Sequence, residues 1–518
     1  MANRYWIGGS GNWSDTANWS TTSGGGGGSA APTSSDDVYI DENSGFGAGG
    51  TITLDGDGNC HDFICTSGHT FTLSSSNDDL FTYGDITLES NITVTSWRFI
   101  LTGTEAANID WAGATTDTSL YMDGSGRKSL TANFPHGVQF YRTGGVFDAN
   151  GYDVGNPTTG NNFNAWPDPG ETYTIYMGEG TWYVGTVAYF TDEWYGGVVN
   201  IYCETSTIET KASYCEFYGG GNTFHNFVWG TSTDDLYFED SFTLHDFTEN
   251  TTDNWHSLWV RSGETITFTG DITFLGDGAE NQTTIYPSAG DIDGNSDSIS
   301  TYTNLYSGSV TAVGQSFTIG ADDVGVYSIG LNLRKTGSPT GTVYLKIYAH
   351  SGTFGTSSIP TGATLATAST LDVSTVTSFG NNKYFYFTGE QAITLSSGTN
   401  YVFVVEYSGG DASNYLMVSK NTSGTHEGNL STYNGSWNAS AGDDIASFSV
   451  TAKFQYTLSK SSGIINAEYL DIEYSNATGG AIWCAGDNST DSGNNTGWRF
   501  YSKKTLMKRR SSNFINLI

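Results

Sequence analysis

Apolar and polar residues alternate with a period of two along almost the whole chain. The runs are short and rich in Thr, Tyr, Phe, Val and Ile, as at 70–73, 173–177, 198–202, 265–269 and 342–348. Alternation of this kind predicts strands with one buried and one outward face. Between the runs lie Gly, Asn, Asp and Ser clusters, such as 77–79, 219–222 and 276–278, whose residues adopt turn conformations at little steric cost. No stretch keeps a helical period over three turns, so the chain is expected to be all-β.

Two spacings separate the chain into regions. From about 50 to 290 the strands are very short and follow one another every eight to twelve residues or so, as successive sides of a coil would. One such turn cannot bury its apolar face alone, so turns must stack around an axial core. No strict repeat length emerges, which favours a right-handed β-solenoid, or β-helix, over a regular hexapeptide coil; a string of separate β-sandwiches is the competing arrangement. From about 300 to 455 the runs lengthen. In 342–348, Val343, Leu345 and Ile347 point one way and Tyr344, Lys346 and Tyr348 the other. Seven or eight such strands predict a two-sheet, jelly-roll-like sandwich. After 455 the short runs return. The expected organisation is an N-terminal cap or attachment segment over 1–50, a β-solenoid over 51–298, a β-sandwich over 299–455, terminal solenoid rungs over 456–502 and a basic tail over 503–518.

Composition narrows the function. Gly is 67 of 518 residues and Pro only 8, while charged residues are 14% against about 25% in an ordinary soluble domain. Twenty basic residues against 54 acidic ones give −34, a field that repels phosphates and anionic surfaces, so neither nucleic-acid binding nor membrane insertion is expected. The exception is the tail, where Lys503, Lys504, Lys508, Arg509 and Arg510 stand without an acid, as a solvated end or a dock for an acidic partner. Five cysteines without CxxC spacing indicate neither a disulfide framework nor a zinc site. The start lacks the basic and apolar regions of a signal peptide, so synthesis in a cytosol is expected.

Several motifs carry a resemblance. The opening 4–14, Arg-Tyr-Trp-Ile-Gly-Gly-Ser-Gly-Asn-Trp-Ser, is followed by Asn18-Trp19-Ser20, a glycine run at 24–28 and the segment 32–41. With Phe217-Tyr-Gly-Gly-Gly-Asn-Thr-Phe-His-Asn226 and the ending at 475–498, it resembles phage virion and tail-fibre-type proteins. The resemblance covers about 1–300 and 456–500 and includes no catalytic signature. It implies a tail-associated virion component that contacts the host and other virion proteins as a homotrimer, and residues 310–455 resemble accessory β-sandwich domains, which implies attachment to a host-surface glycan. A capsid decoration protein and a bacterial surface adhesin are variants of this reading.

Candidate chemistry is sparse. A glycan-degrading tailspike, the enzymatic alternative, needs paired carboxylates across a groove. The adjacent pairs Asp36-Asp37, Asp78-Asp79, Asp234-Asp235, Asp322-Asp323 and Asp443-Asp444 mostly precede an apolar run and read as turn residues, and adjacent strand residues, which face opposite sides, seldom converge on one bond. The chain is therefore expected not to be an enzyme. Sugar binding uses aromatic platforms among amides and hydroxyls, and Tyr407, Tyr415, Tyr433 and Trp437 in the later sandwich offer them. Asp291, Asp293, Asn295 and Asp297 alternate around a glycine as calcium ligands would, though Tyr302 stands where an EF-hand has Glu; a polar linker accounts for the same residues. The eight His residues show no i,i+4 or His-x-His spacing and suggest no metal site. Trp6, Trp13 and Trp19 read as a small cap or an attachment surface.

Overall fold

The computed structural model describes residues 2–500 apart from 48, 193–194, 231, 251–254, 275–281, 321–323, 389–390 and 487. The basic tail at 503–510 and the pair Asp322-Asp323 therefore lie outside the described residues. The chain divides into two compact units, Met1–Tyr286 with Tyr456–Ile518, and Pro287–Gln455. Among the described residues no helix is long and apolar enough to cross a membrane.

The first unit is a β-solenoid. Each short run lies parallel on the equivalent run of the next turn, as Val38 on Phe63, Phe63 on Ile86 and Ile86 on Ile109. A turn takes 25 residues from Val38 to Phe63, 19 from Lys128 to Phe147 and 28 from Val146 to Thr174, which is why no fixed repeat appears in the sequence. Loops at the corners absorb the difference. Every second strand residue points inward, and these residues form one hydrophobic cluster reaching from Trp6 to Ala485. Full burial of such a side chain stabilises by about 1.5–3 kcal/mol. Edge-to-face aromatic contacts, as between Trp13 and Trp97 (5.7 Å) or Trp111 and Phe134 (4.9 Å), add about 0.5–1.5 kcal/mol each.

Trp6, Trp13 and Trp19 belong to this column rather than to an attachment surface. They are 0–3% exposed, and the indole N–H groups of Trp6 and Trp19 donate to the carbonyls of Gly9 and Trp13. Ladder pairing already begins at Ala2–Trp6, which lies parallel on Asp36–Ile40.

The coil resumes where the second unit ends. Thr265–Phe268 pairs parallel with Tyr456–Lys460, Ile266 facing Leu458, and Ile285 faces Ile472. Neighbouring rungs are thus nearly two hundred residues apart in sequence, and the Tyr456 hydroxyl bonds the Ile285 carbonyl at 3.2 Å.

One polar group sits inside this apolar column. Glu249 and His256 are ion-paired with their side chains 0% and 1% exposed, and the Thr283 hydroxyl bonds both carboxylate oxygens at 2.8 and 3.0 Å. Trp229 stands edge-on to the His256 ring at 5.3 Å. No substrate reaches so buried a trio, so its role is structural.

The second unit is a two-sheet antiparallel sandwich. One sheet is built around Val324–Thr336 and the other around Asn400–Glu406, and their facing residues form a separate core from Leu305 to Ala452. Gly290–Ser296, expected with the solenoid, instead pairs antiparallel with Ser447–Lys453 and belongs to the sandwich. At one end of the sandwich His426 is buried between carboxylates. Its Nε2 is 2.8 Å from Asp293 and its Nδ1 4.0 Å from Asp444, with Phe448 edge-on to the ring. Burial opposes the imidazolium, but the hydrogen bond and charge of Asp293, then the charges of Asp444 and Glu427, outweigh it and raise the pKa of His426. Burial also raises that of Asp444, against the Gln315 amide and His426.

Two expectations follow. Removing one member of a buried ion pair costs about 3–5 kcal/mol, so Glu249→Ala should lower the denaturation midpoint of the solenoid by that equivalent, and Glu249→Gln by less, read by tryptophan fluorescence in guanidinium. For His426, a pKa raised above 6.5 means a stabilising contribution that is complete below 6.5 and lost as pH rises through the elevated value. Asp444 has the same sign. The melting temperature of the sandwich should therefore fall as pH rises from 6.5, and His426→Gln should flatten that slope; a slope that persists in the variant assigns it elsewhere.

Candidate functional site

The strand Thr342–Ser351 sends Val343, Leu345 and Ile347 into the core, each 0% exposed, and leaves Tyr344, Lys346 and Tyr348 on the outer face. It pairs antiparallel with Asn400–Glu406, so that Tyr344 faces Glu406 and Tyr348 faces Val402. That neighbouring strand is buried on both sides. Tyr401, Phe403 and Val405 enter the main core, whereas Val402 and Val404 form with Ala312 a second apolar cluster on the outer face. Tyr348, Tyr433 and Trp437 pack over it. The outer face of this sheet is thus not the solvated surface that simple alternation implies.

Ala312, Tyr344, Lys346, Tyr348, Tyr433 and Trp437 line an open cleft of about 890 Å³, within the usual range for small-molecule sites. Tyr433 and Trp437 come from a hairpin in which they are directly paired, with ring centroids 5.3 Å apart and tilted by 51°. Tyr344 is 41% exposed. Polar groups stand between the rings: Lys346 Nζ is 2.5 Å from Glu406 Oε2, and the Tyr348 hydroxyl donates to Glu406 Oε1 at 3.2 Å. Lys346 also lies 5.7 Å from the centre of the Tyr344 ring. Burial works against its ammonium, but the hydrogen bond and charge of Glu406 outweigh it and raise the Lys346 pKa. The Lys346 ammonium is thus held against Glu406. Flat rings around a fixed polar pair can hold the apolar face of a sugar ring while meeting its hydroxyls.

Two of the four aromatics expected to bind sugar, Tyr433 and Trp437, meet in this cleft. Tyr407 does not. Its ring is 1% exposed in the main core and its hydroxyl donates to the Thr340 carbonyl at 2.9 Å, so it offers no platform. Tyr415 belongs to the opposite sheet, 6.0 Å from Tyr306. The cleft instead recruits Tyr344, Tyr348 and Glu406. The outward half of 342–348 was the signal for two of these; the position of Glu406 opposite Tyr344 depends on strand pairing.

The calcium expectation meets a different geometry. Asp293 and Asn295 lie on the strand Gly290–Ser296, and the side chain of Asp291 lies outside the described residues. Asp293 accepts from the Gly294 and Thr318 amides and faces His426; Asp297 accepts from the amide and hydroxyl of Thr425. The Asn295 amide donates to Asp297 and to the Ile445 carbonyl. Protein donors occupy these oxygens, and an extended strand spreads the residues instead of folding them around an ion.

The solenoid holds a pattern that spacing within single runs conceals. His-Asp-Phe recurs at 61–63 and 245–247 and His-Asn-Phe at 225–227, each time with a buried Phe after two residues that are not buried. In the first two, the Asp carboxylate accepts the backbone N–H of an Asp one rung on, Asp85 at 2.8 Å and Asp271 at 2.6 Å. Gly84 and Gly270 precede those residues because a Cβ there would stand 2.0–2.1 Å from the carboxylate.

No family model matches the sequence, and no curated protein matches it. Among solved structures, the chain is similar to the enzymatically active domain of tailspike protein 4 of bacteriophage CBA120, at 11% identity and a TM-score of 0.18. The match covers 77% of this chain and 64% of that one, so the chain spans less than two thirds of its length.

Proposed function

We propose that this chain is a structural component of a phage tail, of the fibre or spike type, that attaches to a host-surface glycan through the cleft on its sandwich and does not cleave it. The observation that carries the binding role is the convergence of Tyr344, Tyr348, Tyr433 and Trp437 around the Lys346–Glu406 pair over an apolar floor. The phage assignment rests on the sequence resemblance at 4–41, 217–226 and 475–498. A glycosidase needs two carboxyl groups roughly 5–9.5 Å apart. Among the described residues lining the cleft, Glu406 is the one carboxylate, and Lys346 and Tyr348 already hold it. Because Glu406 neutralises Lys346 within a chain of charge −34, a neutral glycan fits better than an acidic one. An open cleft of this kind binds weakly, and a homotrimer would multiply it into avidity.

Incubation with host envelope polysaccharide tests this reading. Retention with chains of unchanged length is expected; shortened chains would make the protein an enzyme. Trp437→Ala and Tyr344→Ala should each weaken binding about tenfold, the equivalent of about 1.4 kcal/mol, in a titration followed by tryptophan fluorescence. Tyr407→Phe, a core change, should leave binding as it is.

A further inference from the structure

We propose that His225, His245 and Asp246, on the outside of the solenoid, form a site for a divalent transition-metal ion of the zinc, cobalt or nickel type. The strands Thr223–Trp229 and Phe242–Glu249 lie parallel on successive rungs, and the two histidines fall between the paired positions Phe224–Leu244 and Asn226–Asp246. Their rings are stacked at 4.5 Å and 12°. One ring nitrogen of each and a carboxylate oxygen of Asp246 lie within 4.8 Å of one another. Donors sit about 2.0–2.2 Å from such an ion, so a small side-chain rotation closes this separation onto one centre. Two imidazoles and a carboxylate are a ligand set for borderline ions rather than for calcium, which prefers all-oxygen cages.

The surroundings suit this role. The side chains of His245 and Asp246 are 46% and 35% exposed, so an ion reaches them from solvent. The Asp271 amide donates to Asp246 Oδ1 at 2.6 Å, an outer bond of the kind that orients a ligating carboxylate. Gly270 leaves the space beside His245 Nδ1 and Asp246 Oδ1 clear, since a Cβ would come within 2.6 Å of the first and 2.1 Å of the second. The related corner at His61 differs in chemistry. There Asp37 and Asp62 lie 3.1 and 3.0 Å from the Nδ1 of one histidine, so a single imidazole faces two carboxylates. Among the described residues, the His225–His245 corner alone stacks two imidazoles.

Binding would tie two successive rungs together. The test uses the full chain without a histidine tag. Titration with Co²⁺ should give visible absorption bands saturating at one equivalent, which Zn²⁺ displaces, and Zn²⁺ should raise the melting temperature. His245→Ala and His225→Ala should each weaken Co²⁺ uptake at least tenfold, with an unchanged circular dichroism spectrum and melting temperature in the absence of metal showing that the coil is intact. His61→Ala should leave uptake unchanged. Absence of saturable uptake, uptake that survives the His225→Ala/His245→Ala double variant, or uptake lost in His61→Ala would overturn the assignment.

Discussion

A single rung of the first unit cannot bury its own apolar residues. The inward side chains on a few short strands have no opposite wall until another rung lies on them, and the whole unit follows from this constraint. Stacking aligns parallel strands, converts isolated Phe and Trp side chains into a continuous aromatic column, and leaves the corners free to vary in length. It also makes stability local. Each rung needs only its neighbours, so the chain can depart after Tyr286 and return at Tyr456, because Ile266 and Ile285 find Leu458 and Ile472 as they would any next rung.

The same alternation that fills the core frees the outward positions for other work. Along the coil they form stacks between rungs, as Tyr176 with Tyr202 at 4.8 Å and Tyr237 with Trp259 at 5.8 Å, and carboxylates that cap the backbone of the next turn. On the sandwich they form the cleft. Its apolar floor exists because Asn400–Glu406 is buried on both faces, and the aromatic side chains of two neighbouring segments pack over that floor instead of standing in solvent.

What could be read from the sequence is what depends on local pattern. The period of two and the turn clusters gave an all-β chain with stacked rungs and a sandwich over 299–455, because both features are properties of consecutive residues. The membership of Gly290–Ser296 was not legible, since its partner strand lies some 150 residues later. The candidate site divided along the same line. Tyr433 and Trp437 are hairpin neighbours and were found; Tyr407 was named on residue type alone, and its burial is set by packing. The corner histidines escaped notice because their recurrence is 20 residues long in one instance and 164 in another, far outside any spacing taken within one strand.

Burial then decides what identical side chains do. Glu249 and His256 form an acid–imidazole pair inside the column, where the low dielectric makes each charge depend on the other and shuts out any ligand. Four residues earlier, His245 and Asp246 form a pair of the same composition on the outside, where water competes and the direct ion pair contributes little by itself. Breaking the first arrangement leaves an uncompensated buried group and is costly, whereas stability is nearly indifferent to the second. An exposed corner that nonetheless stacks a second imidazole on the first, anchors its carboxylate to the next rung and reserves a glycine beside both is therefore better explained by a ligand than by the fold.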